Sequence, residues 1–591
     1  MKEFFKFTLA TVAGIVLTGI IGFFLMMMVI GAIIASSEKQ VAVPSHSMLH
    51  MKLDKLIVDR APEDPFADLE IPGFEMVRKL GLKDVLSSIE KAVEDEHIRC
   101  IYLDVSAFNG GMAAAEEIRN ALAAFKEVSD KPIYAYSDLY DQKSYYLATI
   151  ADRVVLNPQG AIDFRGLGGE VMFYKKALEK LGVQMQVIRH GKFKSAVEPY
   201  MLDKMSAENR EQRMVYLNSM WNHMLSGISQ ARNISVDSLN ALADGIMTFR
   251  KGQKAWEAGM VDTLLYKDQV LDELREITGT APKKGISSIS VVDYARVPVK
   301  KGNSSKSKQE KIAVIYASGE ISPMAGDEGI NGEKLSREIR KVRQDSTFKA
   351  IVLRIDSPGG SAYDSEVIWR EVKLAAEEKV VVVSMSNVAA SGGYYIACAA
   401  DKIVAQPNTV TGSIGIFGLI PNAAELLNEK LGITTDVVKT NEHSDMPSLT
   451  RPLDAFESSL MQNYIEEGYD LFISRVADGR KMDKAAVDAI GQGRVWAGEN
   501  ALKIGLVDTL GGLDVAVSEA VKMAGLSHYK LISLPELTDP FTMLMKGGSR
   551  NVRTWFLKKE LGDAWPFYEQ VKKLSGMKGV YARMPYDIVI N

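Results

Sequence analysis

The segment Asn387-Val-Ala-Ala-Ser391-Gly-Gly-Tyr-Tyr-Ile-Ala-Cys-Ala-Ala-Asp401 sets a serine between two patterns. Ahead of it, the apolar run Val380 to Val383 predicts a buried strand, and the small residues after it predict a helix. A serine at a strand-to-helix turn can hold its hydroxyl near the positive end of the helix, where developing negative charge is favoured. The same letters would also serve an ordinary Ser-Gly-Gly turn, so the neighbours have to decide.

Upstream, Ala350 to Asp356 predicts a second buried strand, running into Ser357-Pro-Gly359-Gly360-Ser361 and a helix from Tyr363 to Glu378. Paired glycines let the backbone turn with its N–H groups outward, and these, with the N–H of Gly392, could form an oxyanion hole. A glycine-rich turn at this place also suits phosphate. The Gly-Lys-Ser/Thr ending of a nucleotide-binding P-loop is missing, however. Downstream, Thr411-Gly412-Ser413-Ile-Gly415 offers a second serine in a glycine-rich turn.

A nucleophilic serine needs a base. None of the seven histidines lies in a recognisable triad motif, and His190 and His443 read as polar surface residues. Lysine is the other candidate, at Gly191-Lys192-Phe193-Lys194-Ser195-Ala196. An exposed lysine is protonated at neutral pH and becomes a base only when burial disfavours its charge. Were the segment a strand, Lys192 and Lys194 would share one face, so alternation does not choose between them.

The 591 residues leave room for several domains, and a net charge of −4 gives no reason to expect nucleic-acid binding. Cys100 and Cys398, the two cysteines, sit in apolar segments and read as buried free thiols. No Cys/His cluster has metal-ligand spacing. From Phe7 to Ala35 the chain is almost wholly apolar and uncharged, long enough to cross a bilayer, with Lys2 and Lys6 ahead of it. This predicts an uncleaved anchor over residues 1–40 with a cytoplasmic N-terminus; a long cleaved signal is the competing reading.

The rest of the chain is a duplication. Tyr145-Tyr146-Leu-Ala-Thr-Ile-Ala-Asp152-Arg-Val-Val-Leu-Asn-Pro158 aligns with Tyr394-Tyr395-Ile-Ala-Cys-Ala-Ala-Asp401-Lys-Ile-Val-Ala-Gln-Pro407, and Gly259 to Leu264 with Gly505 to Leu510. Residues 41–299 and 312–534 are the expected repeats, 300–311 a polar linker and 535–591 a C-terminal extension. Short apolar runs alternate with helical periodicity in both, which makes the fold class α/β. The position of Ser391 holds Gln142 in the first repeat, and that of Ser413 holds Phe164. Conversely, the lysines have no counterpart in the second repeat, where the neighbourhood reads Thr440-Asn-Glu-His-Ser444. One site built jointly by both repeats would explain this split.

Four stretches together resemble the long, membrane-anchored members of the protease IV family of signal peptide peptidases (S49): Asp356-Ser-Pro-Gly-Gly360, Ser391-Gly-Gly-Tyr-Tyr395, Thr411-Gly-Ser-Ile-Gly415 and Gly191-Lys-Phe-Lys-Ser-Ala196. The resemblance implies a crotonase/Clp-protease-like fold in each repeat and a homotetrameric bowl on the periplasmic side of a bacterial inner membrane. It also implies a serine–lysine dyad with Ser391 as nucleophile, Lys194 as general base and Ser413 holding the lysine. The N–H groups of Gly392 and the Gly359-Gly360 turn would serve the oxyanion. It is the resemblance that selects Lys194 over Lys192.

The implied reaction is peptide-bond hydrolysis through an acyl-enzyme, without metal or organic cofactor. The implied substrates are signal peptides left in the membrane. Two other classes stay open: a crotonase-like acyl-CoA enzyme, whose paired N–H groups would hold a thioester enolate, and a catalytically inactive membrane scaffold.

Overall fold

The computed structural model describes residues 2–37, 41–61, 79–298, 310–326, 329–537, 560–562 and 580–584. Most of the expected linker (300–311) and of the expected C-terminal extension (535–591) lies outside these residues.

Each repeat folds around its own sheet. In the first, the parallel strands Ser47–Lys52, Ile98–Asp104, Ile133–Tyr140 and Arg153–Ile162 are flanked by Ser288–Ser290 on one edge and Thr263–Leu264 on the other. In the second, the order is Val495–Ala497, Val410–Gly412, Val380–Ala390, Phe348–Ser357, Glu310–Ser318, Tyr529–Leu534, with Lys402–Ala405 and Thr509–Leu510 branching from Val380–Ala390. Parallel neighbours require crossovers, so helices cover both faces and the strands read as continuous apolar runs. Along Phe348–Ser357, Ile351, Leu353 and Ile355 pack with Ile368 and Val372 of the helix Ala362–Glu378. On the opposite face, Ala350 and Val352 meet Ala516 and Ala520 of the helix Leu513–Ala524.

The duplication is repeated in the hydrogen bonds. Asp152 accepts from the Ile133 N–H as Asp401 does from Val381. The Tyr145 hydroxyl donates to the Met260 carbonyl as Tyr394 does to Leu506. Asp262 and Asp508 accept from Val154 and Ile403, and pair with Arg232 and Arg480. The aligned motifs Gly259 to Leu264 and Gly505 to Leu510 thus do the same job twice, each pinning a short edge strand to its sheet.

A smaller sheet joins the repeats. Its order is Gly359–Ser361, Val580–Arg583, Phe417–Asn422, Gln184–Arg189, and every pairing is antiparallel. Gln184–Arg189 of the first repeat runs along Phe417–Asn422 of the second over six residue pairs. The chain that follows Arg189 is thereby delivered to the second repeat.

Three expectations change. The strand predicted over Val380 to Val383 extends to Ala390, because Val410–Gly412 pairs with Val388 to Ala390 and Ser357 with Ala389. Gly359-Gly360 is a short paired strand rather than a tight turn. Lys192 and Lys194 do not share a strand face: the strand ends at Arg189, Lys192 is exposed, and buried Lys194 precedes the single turn Ser195–Val197.

The N-terminal residues Lys2–Ser37 form one helix of 36 residues, with Phe4, Phe7, Ile15 and Phe24 exposed. Among the described residues no helix is long and apolar enough to cross a membrane. The expected transmembrane helix therefore has no support there. The charge-free sequence from Phe7 to Ala35 and the unbroken backbone helix are what remain of that argument.

Candidate active site

Ser391 ends the strand Val380–Ala390 and caps the helix Gly392–Ala397, with φ 56° and ψ −115°. Non-glycine residues seldom adopt such a conformation, and it persists only where the surroundings impose it. Here the Ser391 N–H donates to the Gly412 carbonyl at 2.8 Å, and the Ser391 carbonyl accepts from the Tyr395 N–H at 2.8 Å. The result is a sharp strand-to-helix elbow that aims the serine side chain out of the sheet.

What it meets there comes from the other repeat. Lys194 Nζ lies 2.8 Å from Ser391 Oγ, 3.1 Å from Ser413 Oγ and 3.1 Å from the Ser413 carbonyl oxygen. Lys194, Ser391 and Ser413 all have zero exposure. Burial alone pushes the Lys194 ammonium well below the ordinary lysine range. A neutral amine has two N–H donors and one lone pair. The donors match the two Ser413 oxygens, which leaves the lone pair for the Ser391 O–H.

Lys194 is fixed by its neighbours in the chain. Gln212, on the helix Ala207–Arg232, donates to the Phe193 carbonyl at 2.9 Å and to Ser195 Oγ at 3.0 Å. Its own oxygen accepts from the Val495 N–H at 3.0 Å, in the second repeat. The Phe193 N–H donates to the Gln492 carbonyl at 3.0 Å. Gln212 thus clamps both sides of the lysine to the sheet that carries Ser391. It escapes sequence reasoning, since a glutamine on a long polar helix carries no motif.

The glycines expected to serve an oxyanion stand beside the serine. A Cβ placed on Gly359, at φ 91°, would lie 2.5 Å from the Gly392 nitrogen, so these two backbones are in direct contact and admit no side chain. Gly360 is turned toward Ile321, whose N–H and carbonyl bond the Gly359 carbonyl and the Ser361 N–H. On the strand that leads into these glycines, buried Arg354 reaches Asp59 at 2.9 Å and Glu117 at 2.6 Å in the first repeat.

The corresponding place in the first repeat is closed. The Gln142 side-chain oxygen accepts from the Arg165 and Gly166 N–H groups, both at 3.1 Å, and buried Phe164 packs edge-on to Tyr145. His190 stacks on Tyr469 and His443 bonds Glu457; both are partly exposed, and neither reaches Ser391 among the described hydrogen bonds. Cys100 and Cys398 are buried free thiols, as expected. Among the described residues, His443, Asp454 and Glu457 are close enough to share a cation, but Arg451 already bonds Glu457 at 2.6 Å.

Residues 126–280 and 373–527 each match the model of peptidase family S49. The chain belongs to peptidase family S49. The double match follows the duplication, with Lys194 in the first stretch and Ser391 and Ser413 in the second. The S49 chain is 35% identical to Protease 4 of Haemophilus influenzae, over 85% of this chain and 83% of that protein. It is 38% identical to Protease 4 of Salmonella typhi, over 81% and 78%. The chloroplastic serine protease SPPA of Arabidopsis thaliana is 34% identical, over 79% of this chain and 69% of that protein. Among solved structures, a mutant of the 1510-N membrane-bound stomatin-specific protease is 16% identical, covers 38% of this chain and 98% of its own, and has a TM-score of 0.26.

Proposed function

We propose that this S49 chain is a serine endopeptidase working through a Ser391–Lys194 dyad. The observation that carries the reading is the 2.8 Å approach of a fully buried lysine amine to a serine hydroxyl held on a strained elbow. Neutral Lys194 takes the Ser391 proton as Oγ attacks a peptide carbonyl, then returns it to the leaving amine. Backbone N–H groups of Gly392 and the Gly359-Gly360 strand stabilise the oxyanion, and water hydrolyses the acyl-enzyme. A serine-directed fluorophosphonate is expected to label Ser391 covalently with loss of fluoride, and apolar peptides to slow that labelling. Failure to label the folded chain would remove the nucleophile from the mechanism.

Ser413 holds the lysine rather than reacting. Ser413→Ala removes one hydroxyl and leaves the Ser413 carbonyl in place. A hydrogen bond of this kind is worth about 1–1.5 kcal/mol, which converts to roughly a tenfold fall in kcat. A loss as deep as that of Ser391→Ala would give Ser413 a direct role in the chemistry.

The exposed apolar side chains of the helix Lys2–Ser37 suit attachment to a membrane, and Lys2 and Lys6 ahead of the uncharged run suit a body on the periplasmic side. An anchored peptidase there would meet signal peptides left in the bilayer, and a tetramer would collect several such sites. Protease added to spheroplasts is expected to digest the body, and protease added to sealed inside-out vesicles to leave it intact. The opposite pattern reverses the orientation.

A further inference from the structure

The lysine that approaches Ser391 is enclosed by a loop of the second repeat. Residues 491–494 join the helix Lys484–Ile490 to the strand Val495–Ala497. Gln492 and Gly493 both take the left-handed backbone there, at φ 55° and 82°. A Cβ on Gly493 would come within 2.6 Å of Lys194 Cβ, and one on Gly415 within 3.3 Å of Lys194 Cδ. Two glycine backbones thus lie directly against the lysine stem. The same loop fixes what surrounds it. The Arg494 carbonyl accepts from the Ser413 N–H and the Gly493 N–H donates to the Ile414 carbonyl, both at 2.7 Å. The Gln492 N–H donates to the Tyr469 hydroxyl at 3.0 Å.

The far side of the enclosure is the helix Ala207–Arg232 of the first repeat. Its first turn is rooted just beyond the lysine: buried Glu198 accepts from Ser206 Oγ at 2.5 Å and from Asn209 Nδ2 at 2.8 Å. The next residues of the helix reach the loop. Glu211 pairs with Arg494 at 2.8 Å, but Glu211 is 56% exposed, so the pair contributes little. Gln212 has zero exposure, and its amide joins the Phe193 carbonyl, Ser195 Oγ and the Val495 N–H. Each bond that this desolvated amide loses leaves a buried partner unpaired. The charged groups on the elements packed here are Lys192, Glu198, Glu211, Asp356, Asp488 and Arg494. Burial, rather than any of these, lowers the Lys194 pKa.

We propose that Gln212 is a positioning residue for the general base: it holds the loop closed on Lys194 and so keeps the amine dry, aimed at Ser391 and free of a proton. It touches neither the peptide nor the reacting atoms. The proposal rests on Lys194 being the base. Without the amide, water reaches the lysine, and hydration favours the ammonium. The loss is then one of protonation state, which raising the pH reverses. Hydration favours the charged form of a carboxyl too, so an acid limb due to Asp356 would move the other way, to lower pH.

The test measures kcat and KM across pH for the full-length wild type and Gln212→Met, with circular dichroism reporting the folded fraction. Methionine keeps the length of the side chain and removes all three bonds. At neutral pH kcat is expected to fall about tenfold or more with KM unchanged, and the acid limb to lie at higher pH than in the wild type. Most of the lost kcat should return as pH approaches the ordinary lysine pKa of about 10.4. A limb that stays in place or moves down, or a kcat loss equal at every pH, would overturn the inference. Should Gln212→Met not fold, Gln212→Glu keeps the shape and the Val495 bond, loses the donation to the Phe193 carbonyl and sets a negative charge near the lysine. Its limb should also rise, and a wild-type limb in the folded variant would overturn the inference equally. An active Lys194→Met chain would instead remove the base itself. An inactive Lys194→Met beside an unmoved limb in Gln212→Met removes this inference alone.

Discussion

Ser391→Ala is expected to reduce peptidase activity by on the order of 10⁴-fold or more, because removing the nucleophile of a mutually dependent set removes the acyl-enzyme route altogether. What remains is the weak catalysis that binding and oxyanion N–H groups supply without it. The fold should survive. Oγ contacts Lys194 Nζ at 2.8 Å and the Gly415 carbonyl only at 3.5 Å, so the hydroxyl contributes little to packing. Alanine meets the same positive φ that serine already tolerates. Its main cost is a lysine amine left one partner short, about 1–3 kcal/mol. Thermal melting and circular dichroism beside the peptide assay separate the two effects. A folded Ser391→Ala chain that still cleaves an apolar peptide would end the nucleophile assignment.

The elements nearest the serine were readable in sequence because each is specified locally. A β-branched run, a glycine pair and a small-residue helix need no distant information, and the elbow at Ser391 sits where they meet. The duplication was legible for a similar reason: Asp152 and Asp401, or Tyr145 and Tyr394, make equivalent bonds within their own repeats. The choice between Lys192 and Lys194 was not legible. It depends on which side chain the turn after Arg189 buries, and that turn is set by pairing between Gln184–Arg189 and Phe417–Asn422 over a separation of more than 200 residues. Gln212 and the strand Val580–Arg583 were hidden by the same long-range dependence. Neither carries a motif; each acquires its place only when the repeats close on one another.

That closure accounts for the asymmetry of the pair. The first repeat enters its helix at Gln142 without the positive-φ elbow and fills the corresponding place: Gln142 ties down the backbone of Arg165 and Gly166, and Phe164 occupies the core. It gives its lysine to its neighbour instead. The second repeat keeps the serine and the glycines and supplies no amine. Arg354 bridging to Asp59 and Glu117, and Asn387 accepting from the Ala114 N–H at 3.1 Å, hold the two together beneath the site. The geometry of the Ser391–Lys194 pair is therefore a property of the interface.

Lys194→Met should abolish activity as completely as Ser391→Ala, since neither member of the dyad works alone. Methionine fills the same channel without a titratable group, and so exposes what the lysine costs the fold. In the unfolded chain the amine is free to take up its proton up to its ordinary pKa of about 10.4. In the folded chain burial holds the pKa well below that. Between the two values the unfolded state binds the extra proton, so stability rises with pH across this window and is lost as pH falls toward the folded value. Lys194→Met removes that dependence. At neutral pH the variant should melt at or above the wild-type temperature, and the difference should shrink as pH approaches 10. The wild-type enzyme should lose kcat as pH falls through the depressed lysine pKa, since protonation removes the base. Asp356 is the neighbour that could imitate this limb, because burial and the Asp59 charge push it up to about 7. Asp356→Asn keeps the acid limb if Lys194 produces it and loses the limb if Asp356 does. A Lys194→Met chain that retains activity, or that is uniformly less stable at every pH from 6 to 10, would deny the buried amine its role as base.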